Sequence, residues 1–320
     1  MPDGSYALVG DVGGTNVRFA LRSQRGTLSR VRLLAAADYR GLGDAAEAYL
    51  SRIGLADRPK RAALAVASPI TGDRVAMTNR AWSFSIAELK RRLGLSDLAV
   101  INDFVAVALA VPNLKPRDML KIGRGRAAAD MPVAVLGPGT GLGVSLLVPD
   151  GRRWLPVATE GGHVTVPAAD AADEAIIAPL RERFGHVSAE RVLSGPGLVN
   201  LYLALAATQG KRPDDLDPED ITDRALAGRD PLAAAALERF CAMLGTVAGD
   251  LALSTGARGG VYVAGGIVPR FGRYLSRSSF RARFEAKGRF RPYMRAIPTW
   301  IVTTELPALD GLNRLLDQTA

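Results

Sequence analysis

One cysteine and two histidines are the whole supply of soft metal ligands in 320 residues. Cys241 has no partner for an internal disulfide. With only His163 and His186 beside it, a structural zinc site is excluded. No apolar run reaches the ~20 residues that a membrane-crossing helix requires. The opening Met1-Pro2-Asp3-Gly4-Ser5 has neither the basic start nor the apolar core of a signal sequence, so a cytoplasmic protein without membrane attachment is expected. The Walker-type phosphate loop is missing as well. It needs Gly-Lys followed by Ser or Thr, and the Gly-Lys pair here, Gly210-Lys211, runs into Arg212.

What the chain does contain points to ordinary folded domains. Hydrophobic residues make up 48% and charged residues 23%, enough apolar surface for real cores. The length leaves room for two domains at ~150 residues each. Net charge is +9. Its densest basic stretch holds Arg270, Arg273, Arg277, Arg281, Arg283, Lys287, Arg289, Arg291 and Arg295, interleaved with Phe280, Phe284, Phe290 and Tyr293. Such a surface could steer phosphate. A solvated helical face explains it as well, and nucleic acid is not an expected partner.

Two glycine-rich turns carry most of the functional information. The first, Gly10-Asp11-Val12-Gly13-Gly14-Thr15-Asn16, lies between Tyr6–Val9 and Val17–Leu21. The second, Gly137-Pro138-Gly139-Thr140-Gly141-Leu142-Gly143, lies between Val133–Leu136 and Val144–Val148. Apolar runs around a glycine turn predict hairpins. Glycine brings successive amides close to a ligand, and such amide concavities bind anions, phosphate above all. Asp11 inside the first turn would repel phosphate unless a cation lay between them. Magnesium suits that place, because it keeps several waters and bridges carboxylate to phosphate. Pro138 has no amide proton, so phosphate contacts in the second turn are assigned from Gly139 onward, to Gly139, Thr140 and Gly141.

Further strands are expected at Ser29–Leu34, Arg61–Ala67, Leu98–Ile101, Gly259–Ala264 and Thr299–Thr303. Expected helices are Leu42–Ile53, Ile86–Leu93 with Ser85 as its cap, Phe104–Val111, Glu174–Phe184, Gly197–Thr208, Ile221–Ala227, Pro231–Thr255 and Leu306–Leu316. This alternation predicts an α/β protein with mixed sheets flanked by helices. The polar stretch Lys121–Asp130 marks the boundary: a smaller domain over 1–125 and a larger one over 126–320, whose last helix is free to pack back on the first. The two hairpin-led halves are the one hint of internal repetition.

Asn102-Asp103 closes a buried strand at its carboxyl end, where open α/β sheets place their sites. Asp103 there could accept a proton from a substrate hydroxyl, or merely cap the following helix. Glu160-Gly161-Gly162-His163 offers an acceptor and an imidazole across a flexible turn, suited to the neighbouring hydroxyls of a polyol. Glu190 could pair with Arg191 or solvent. Gly265-Gly266 would let a flat adenine lie on the backbone, or let a helix pack closely on the sheet.

Taken in order, the segments Gly10–Asn16, Ile101–Phe104, Gly137–Gly143, Glu160–His163, Ser188–Gly195 and Ala264–Ile267 resemble those of the bacterial glucokinase family over nearly the full length. The resemblance implies the two-domain actin-like ATPase fold (ribonuclease H-like), with an interdomain sugar cleft. It implies ATP and Mg²⁺ as cofactors, D-glucose as substrate and a homodimer. Asp103 would be the general base on the sugar 6-hydroxyl, with Asn102, Glu160, His163 and Glu190 on the other hydroxyls. Asp11 and the turns Gly13–Thr15 and Gly139–Gly141 match the metal and phosphate elements, the metal being held through water. A kinase of another hexose or amino sugar is the nearest alternative, and a non-catalytic sugar-responsive regulator a more distant one. The cysteine-rich zinc motif of the repressor-related sugar kinases is absent here.

Overall fold

The structure is a computed structural model that describes residues 6–55, 58–78 and 80–318. Met1–Ser5, the polar lead-in to the first strand, lies outside the described residues. The chain divides into two compact units: residues 1–114 with 305–320, and residues 115–304.

In the first unit, strands β1 (Ala7–Val12) and β2 (Asn16–Arg22) form a hairpin around the first glycine turn, and β3 (Leu28–Ala35) pairs with β2 at the edge. Helix α1 (Leu42–Ile53) lays Leu42, Ala45, Ala46, Tyr49 and Leu50 into the core and ends at Gly54, whose φ of +58° is the left-handed stop that glycine accommodates. Strand β4 (Arg61–Val66) runs parallel to β1. The short pair β5 (Arg74–Ala76) and β6 (Ser83–Ser85) leads into α2 (Ile86–Arg92), where the Ser85 hydroxyl accepts the Glu88 amide at 3.1 Å as the cap pattern predicts. Strand β7 (Asp97–Asn102) then runs parallel to β4 and passes without a loop into α3 (Asp103–Ala110). The sheet order is β3-β2-β1-β4-β7. The C-terminal helix Pro307–Gln318 belongs to this unit, packed along α3, and Arg22 reaches it through Asn313 at 2.6 Å and an ion pair with Asp317.

The second unit opens with β8 (Met119–Ile122), followed by the hairpin β9 (Val133–Pro138) and β10 (Leu142–Pro149) around the second glycine turn, and β11 (Trp154–Thr159). Helices α4 (Ala171–Phe184), α5 (Gly195–Thr208), α6 (Pro218–Leu226) and α7 (Pro231–Thr255) follow, then β12 (Gly260–Val263), short helices α8 (Gly272–Leu275), α9 (Phe280–Glu285) and α10 (Arg291–Ala296), and β13 (Thr299–Val302). The sheet order is β11-β10-β9-β12-β13-β8. Its first five strands repeat the arrangement of the other unit: an antiparallel meander whose inner strand continues into two parallel neighbours. That is the internal repetition at which the paired hairpins hint.

Three features differ from the sequence reading. The division falls at Leu114–Lys115, ahead of the Lys121–Asp130 stretch, because β8 pairs with β13 and completes the second sheet, and the chain leaves that unit again at Glu305. Helix α7 is long and apolar enough, by length and composition, to cross a membrane, although 78% of its apolar window is buried inside the protein. It serves as a core helix. The basic stretch is not a continuous solvated face either. Phe280 and Phe284 are fully buried, Arg281 pairs with Glu285 at 2.7 Å, Lys287 with Asp250 at 2.6 Å and Arg270 with Glu219 at 2.7 Å, and Arg283 pairs with Asp170 and Asp173.

Candidate active site

The first unit gathers its chemistry at the carboxyl ends of its parallel strands. Register alone does this, since Val12 of β1 lies opposite Val66 of β4, and Val66 opposite Asn102 of β7. At ~4.8 Å between neighbouring strands, the Asp11 turn and Asn102-Asp103 open on the same edge about 10 Å apart. Gly10 and Val12 prove to be strand residues. A side chain on Gly10 would strike Phe19 at 2.7 Å, and Val12 is fully buried, so both serve the core. The turn itself is Gly13-Gly14-Thr15, with Thr15 and Asn16 exposed.

The Gly13 amide donates to the Asn16 carbonyl at 2.9 Å, closing the turn. The amides of Gly14 and Thr15 take no hydrogen bond among the described residues, so they are the ones available to an anion. Arg80, which the sequence reading missed, fixes this turn from behind. Its guanidinium donates to the carbonyls of Gly14 (3.3 Å) and Ala36 (2.6 Å) and stacks over Trp82 at 4.7 Å. Asp11 is half-buried, its carboxylate 3.9 Å from Arg18. Burial raises its pKa above the ordinary carboxyl value, with Arg18 opposing the shift. An ionised carboxylate so poorly compensated gains from a further cation, which fits magnesium. Among the described residues no group of three or more His, Cys, Asp and Glu side chains converges on a metal position, so such an ion would lean on water and phosphate oxygens for most of its ligands.

Asn102 takes the capping role that is one of the two readings of Asp103. Its side-chain oxygen accepts the amides of Phe104 (2.9 Å) and Val105 (3.3 Å), and its amide reaches the Ser68 carbonyl at 3.4 Å. The cap of α3 is therefore Asn102, worth about 1 kcal/mol. Asp103 stands at the first helical position and accepts the Phe104 amide at 2.9 Å, a donor that Asn102 already serves. Its carboxylate is not required as the cap.

The second unit gathers the other predicted residues. Gly161–His163 form a single 3-10 turn, the His163 amide donating to the Glu160 carbonyl at 3.0 Å, with the side chains of Glu160 and His163 exposed and His163 Nε2 3.9 Å from Glu160 Oε2. Pairing of Thr165 with Ser188, and the Ala189 amide on the Val164 carbonyl at 2.8 Å, stitch this turn to the 3-10 turn Ala189–Arg191 that carries Glu190. Glu190 pairs with neither Arg191 nor solvent alone. Its Oε2 accepts the Leu142 amide at 2.8 Å, while Arg191 lies over the Phe184 ring at 4.3 Å.

The second glycine turn is also partly self-satisfied. Gly139 donates to the Gly141 carbonyl at 2.8 Å, which removes its amide from the phosphate donors assigned by sequence and leaves those of Thr140 and Gly141 without a partner among the described residues. At Gly265, φ is +92° and an added β-carbon would sit 2.9 Å from the Pro138 carbonyl carbon and nearer still to its oxygen. Close packing on the turn accounts for Gly265. Gly266 is exposed with open space above it.

Residues 8–319 match the glucokinase family. Glucokinases of Nitrobacter hamburgensis and Paramagnetospirillum magneticum are each 53% identical, over 96% of this chain and 96% of the first, and 97% of this chain and 97% of the second. The chain belongs to the glucokinase family. A solved glucokinase from an Antarctic psychrotroph superposes with a TM-score of 0.87 at 38% identity, covering 98% of this chain and 99% of the other. The fold is thus the actin-like ATPase fold of the sugar kinases. The glucokinase reaction is ATP-dependent phosphorylation of D-glucose to glucose 6-phosphate, and this chain is a hexose kinase of that kind.

Proposed function

We infer that this chain carries out the glucokinase reaction, and that each unit supplies its own set of residues to it. In the first, Asp103 takes the proton of the glucose 6-hydroxyl as that oxygen attacks the terminal phosphorus of ATP, and Asn102 holds the sugar through its amide. In the second, Glu160, His163 and Glu190 accept and donate hydrogen bonds to the remaining hydroxyls. Phosphoryl transfer asks a protein mainly to position and to neutralise charge. The amides of Gly14, Thr15, Thr140 and Gly141 would hold the phosphates, and Gly266 gives the adenine room. Asp11 would hold Mg²⁺ through water, and the ion supplies neutralisation of the phosphate charge. The enzyme would work in the cytoplasm as a homodimer.

The observation that carries this reading is the strand register that sets Asn102-Asp103 at the carboxyl end of β7, on the same sheet edge as the Asp11 turn, where open α/β sheets place their sites. Asn102 performs the capping of α3, so that role does not fall to Asp103. Asp103→Asn tests it. The variant should lose ~10²–10⁴-fold in kcat, the usual worth of a general base, while glucose still binds in equilibrium titration. Turnover within a few fold of the wild type would sink the assignment.

A further inference from the structure

Leu142 is the residue through which the sugar turn and the phosphate turn of the second unit touch. Its amide is taken by the Glu190 carboxylate at 2.8 Å. Its carbonyl is pressed by the Glu160–His163 turn, where a β-carbon on Gly162 would lie 3.0 Å from the Leu142 carbonyl carbon and nearer still to the oxygen. A β-carbon on Gly161 would likewise come within 3.0 Å of the Val144 side chain. One residue earlier, a β-carbon on Gly141 would stand 3.2 Å from the Glu190 carboxyl carbon and closer to Oε2, so the phosphate turn needs glycine there because of Glu190.

Glu190 is itself held rigidly. The Ser194 hydroxyl donates to the Glu190 carbonyl at 2.8 Å and accepts the Gly197 amide at 3.0 Å as the cap of α5. The first amide of that helix, Gly195, donates to the Gly139 carbonyl at 2.9 Å. The second glycine turn is thus tied at both ends to one rigid segment, at Gly139 through Gly195 and at Leu142 through Glu190.

We propose that Glu190 is a positioning residue for the nucleotide: through Leu142 it sets the second phosphate turn, and through its other carboxylate oxygen it senses the sugar. Oε2 is committed to the turn, whereas Oε1 takes no hydrogen bond among the described residues and faces no such demand. A hydroxyl bound on Oε1 fixes the carboxylate plane, and with it the Leu142 amide and the two open amides of Thr140 and Gly141. This rests on the sugar-binding reading of Glu190 given above and extends it to the nucleotide.

The test is titration of the full-length enzyme with Mg·ADP in the absence of sugar, and separately with glucose in the absence of nucleotide, for the wild type, Glu190→Ala and Glu190→Gln. Losing a charge-assisted hydrogen bond should weaken Mg·ADP binding about tenfold in Glu190→Ala with no sugar present. Glutamine keeps an acceptor oxygen for the Leu142 amide, so Glu190→Gln should stay within about twofold for Mg·ADP. Unchanged Mg·ADP affinity in Glu190→Ala would overturn the proposal and leave Glu190 a sugar ligand alone. If the alanine variant does not fold, Gly141→Ala replaces it. Its new methyl displaces the Glu190 carboxylate, so glucose affinity should fall severalfold although Gly141 belongs to the phosphate turn. Unchanged glucose affinity there contradicts the link. Should the wild type bind Mg·ADP but not glucose, the sugar reading fails while the Mg·ADP arm still judges the brace.

Discussion

The position of α3, and with it that of Asp103, depends on a glycine of the C-terminal helix. Gly311 of the C-terminal helix lies against α3 so closely that an added β-carbon would fall 2.6 Å from the Ala106 carbonyl carbon and nearer still to its oxygen. Ordinary carbon–carbon contact is ~3.5–4.0 Å and the oxygen lies nearer than the carbon, so Gly311→Ala forces the two helices apart by at least about 1 Å. Ala106 is helix backbone in a buried row, Val105–Ala110, and cannot swing aside as a surface side chain would. Overpacking of this kind costs about 1–3 kcal/mol. The displaced helix begins at Asp103, so the proposed base moves with it. A misplacement near 1 Å costs roughly 10²-fold in rate. Gly311→Ala should therefore remain folded with a lowered melting temperature, and its kcat should fall by about two orders of magnitude in a coupled ADP-release assay. A folded variant with wild-type kcat would show that the C-terminal helix does not set the position of α3.

Other perturbations separate folding from chemistry. Asn102→Ala removes the cap of α3 and should lower stability by about 1 kcal/mol in urea unfolding, a loss that Asp103→Asn should not match; equal losses in the two would undo the division of labour at that helix. Burial raises the Asp11 pKa, so its ionised form is penalised in the folded protein, a penalty absent below the ordinary carboxyl pKa of 3.8 and full above the raised value. In the absence of metal, Asp11→Asn should melt higher than the wild type at pH 7, with the gap closing as pH falls towards 4, and should lose the added stability that Mg·ATP confers. A lower melting temperature at pH 7 in calorimetry contradicts this. Arg239 bonds both Asp170 and the fully buried Asp173 at 2.9 Å. Arg239→Met should cost about 3 kcal/mol at neutral pH by stranding part of a buried charge, and a loss under 1 kcal/mol would mean that Arg283 alone suffices. Burial opposes ionisation of Asp170, yet the Asp173 amide and the two arginines outweigh it and lower its pKa, so this contribution is present above pH 3.8 and fades as acid is added.

Much of this was readable from local sequence. The two hairpins announced themselves because glycine turns sat between β-branched runs. Helices α1 and α7 match their predicted limits because each carries its own stop signal, Gly54 and Gly256, both in the left-handed region, and α7 also its Asp230-Pro231 start. What stayed hidden depends on partners far along the chain. Strand β8 is four residues long and meaningful only against β13, where the Thr299 hydroxyl bonds the Ile122 carbonyl 177 residues away. Read alone, its end merges into a polar stretch that resembles a linker. The basic stretch misleads for the same reason, since Arg283 finds its acids more than a hundred residues earlier. At the site, residue types and positions were legible, but not which amides were free. Gly139 closes its own turn, Glu190 reaches back 48 residues to Leu142, and Arg80 supports the first turn from a segment with no glycine signature.

The most direct test of the whole account is ADP release measured with glucose, fructose and mannose, each with and without Mg²⁺, with the product identified. The account predicts ADP release that requires both Mg²⁺ and sugar, a kcat/KM highest for glucose, and phosphate on the 6-hydroxyl. ADP release indifferent to glucose, or a clear preference for another hexose, would contradict it.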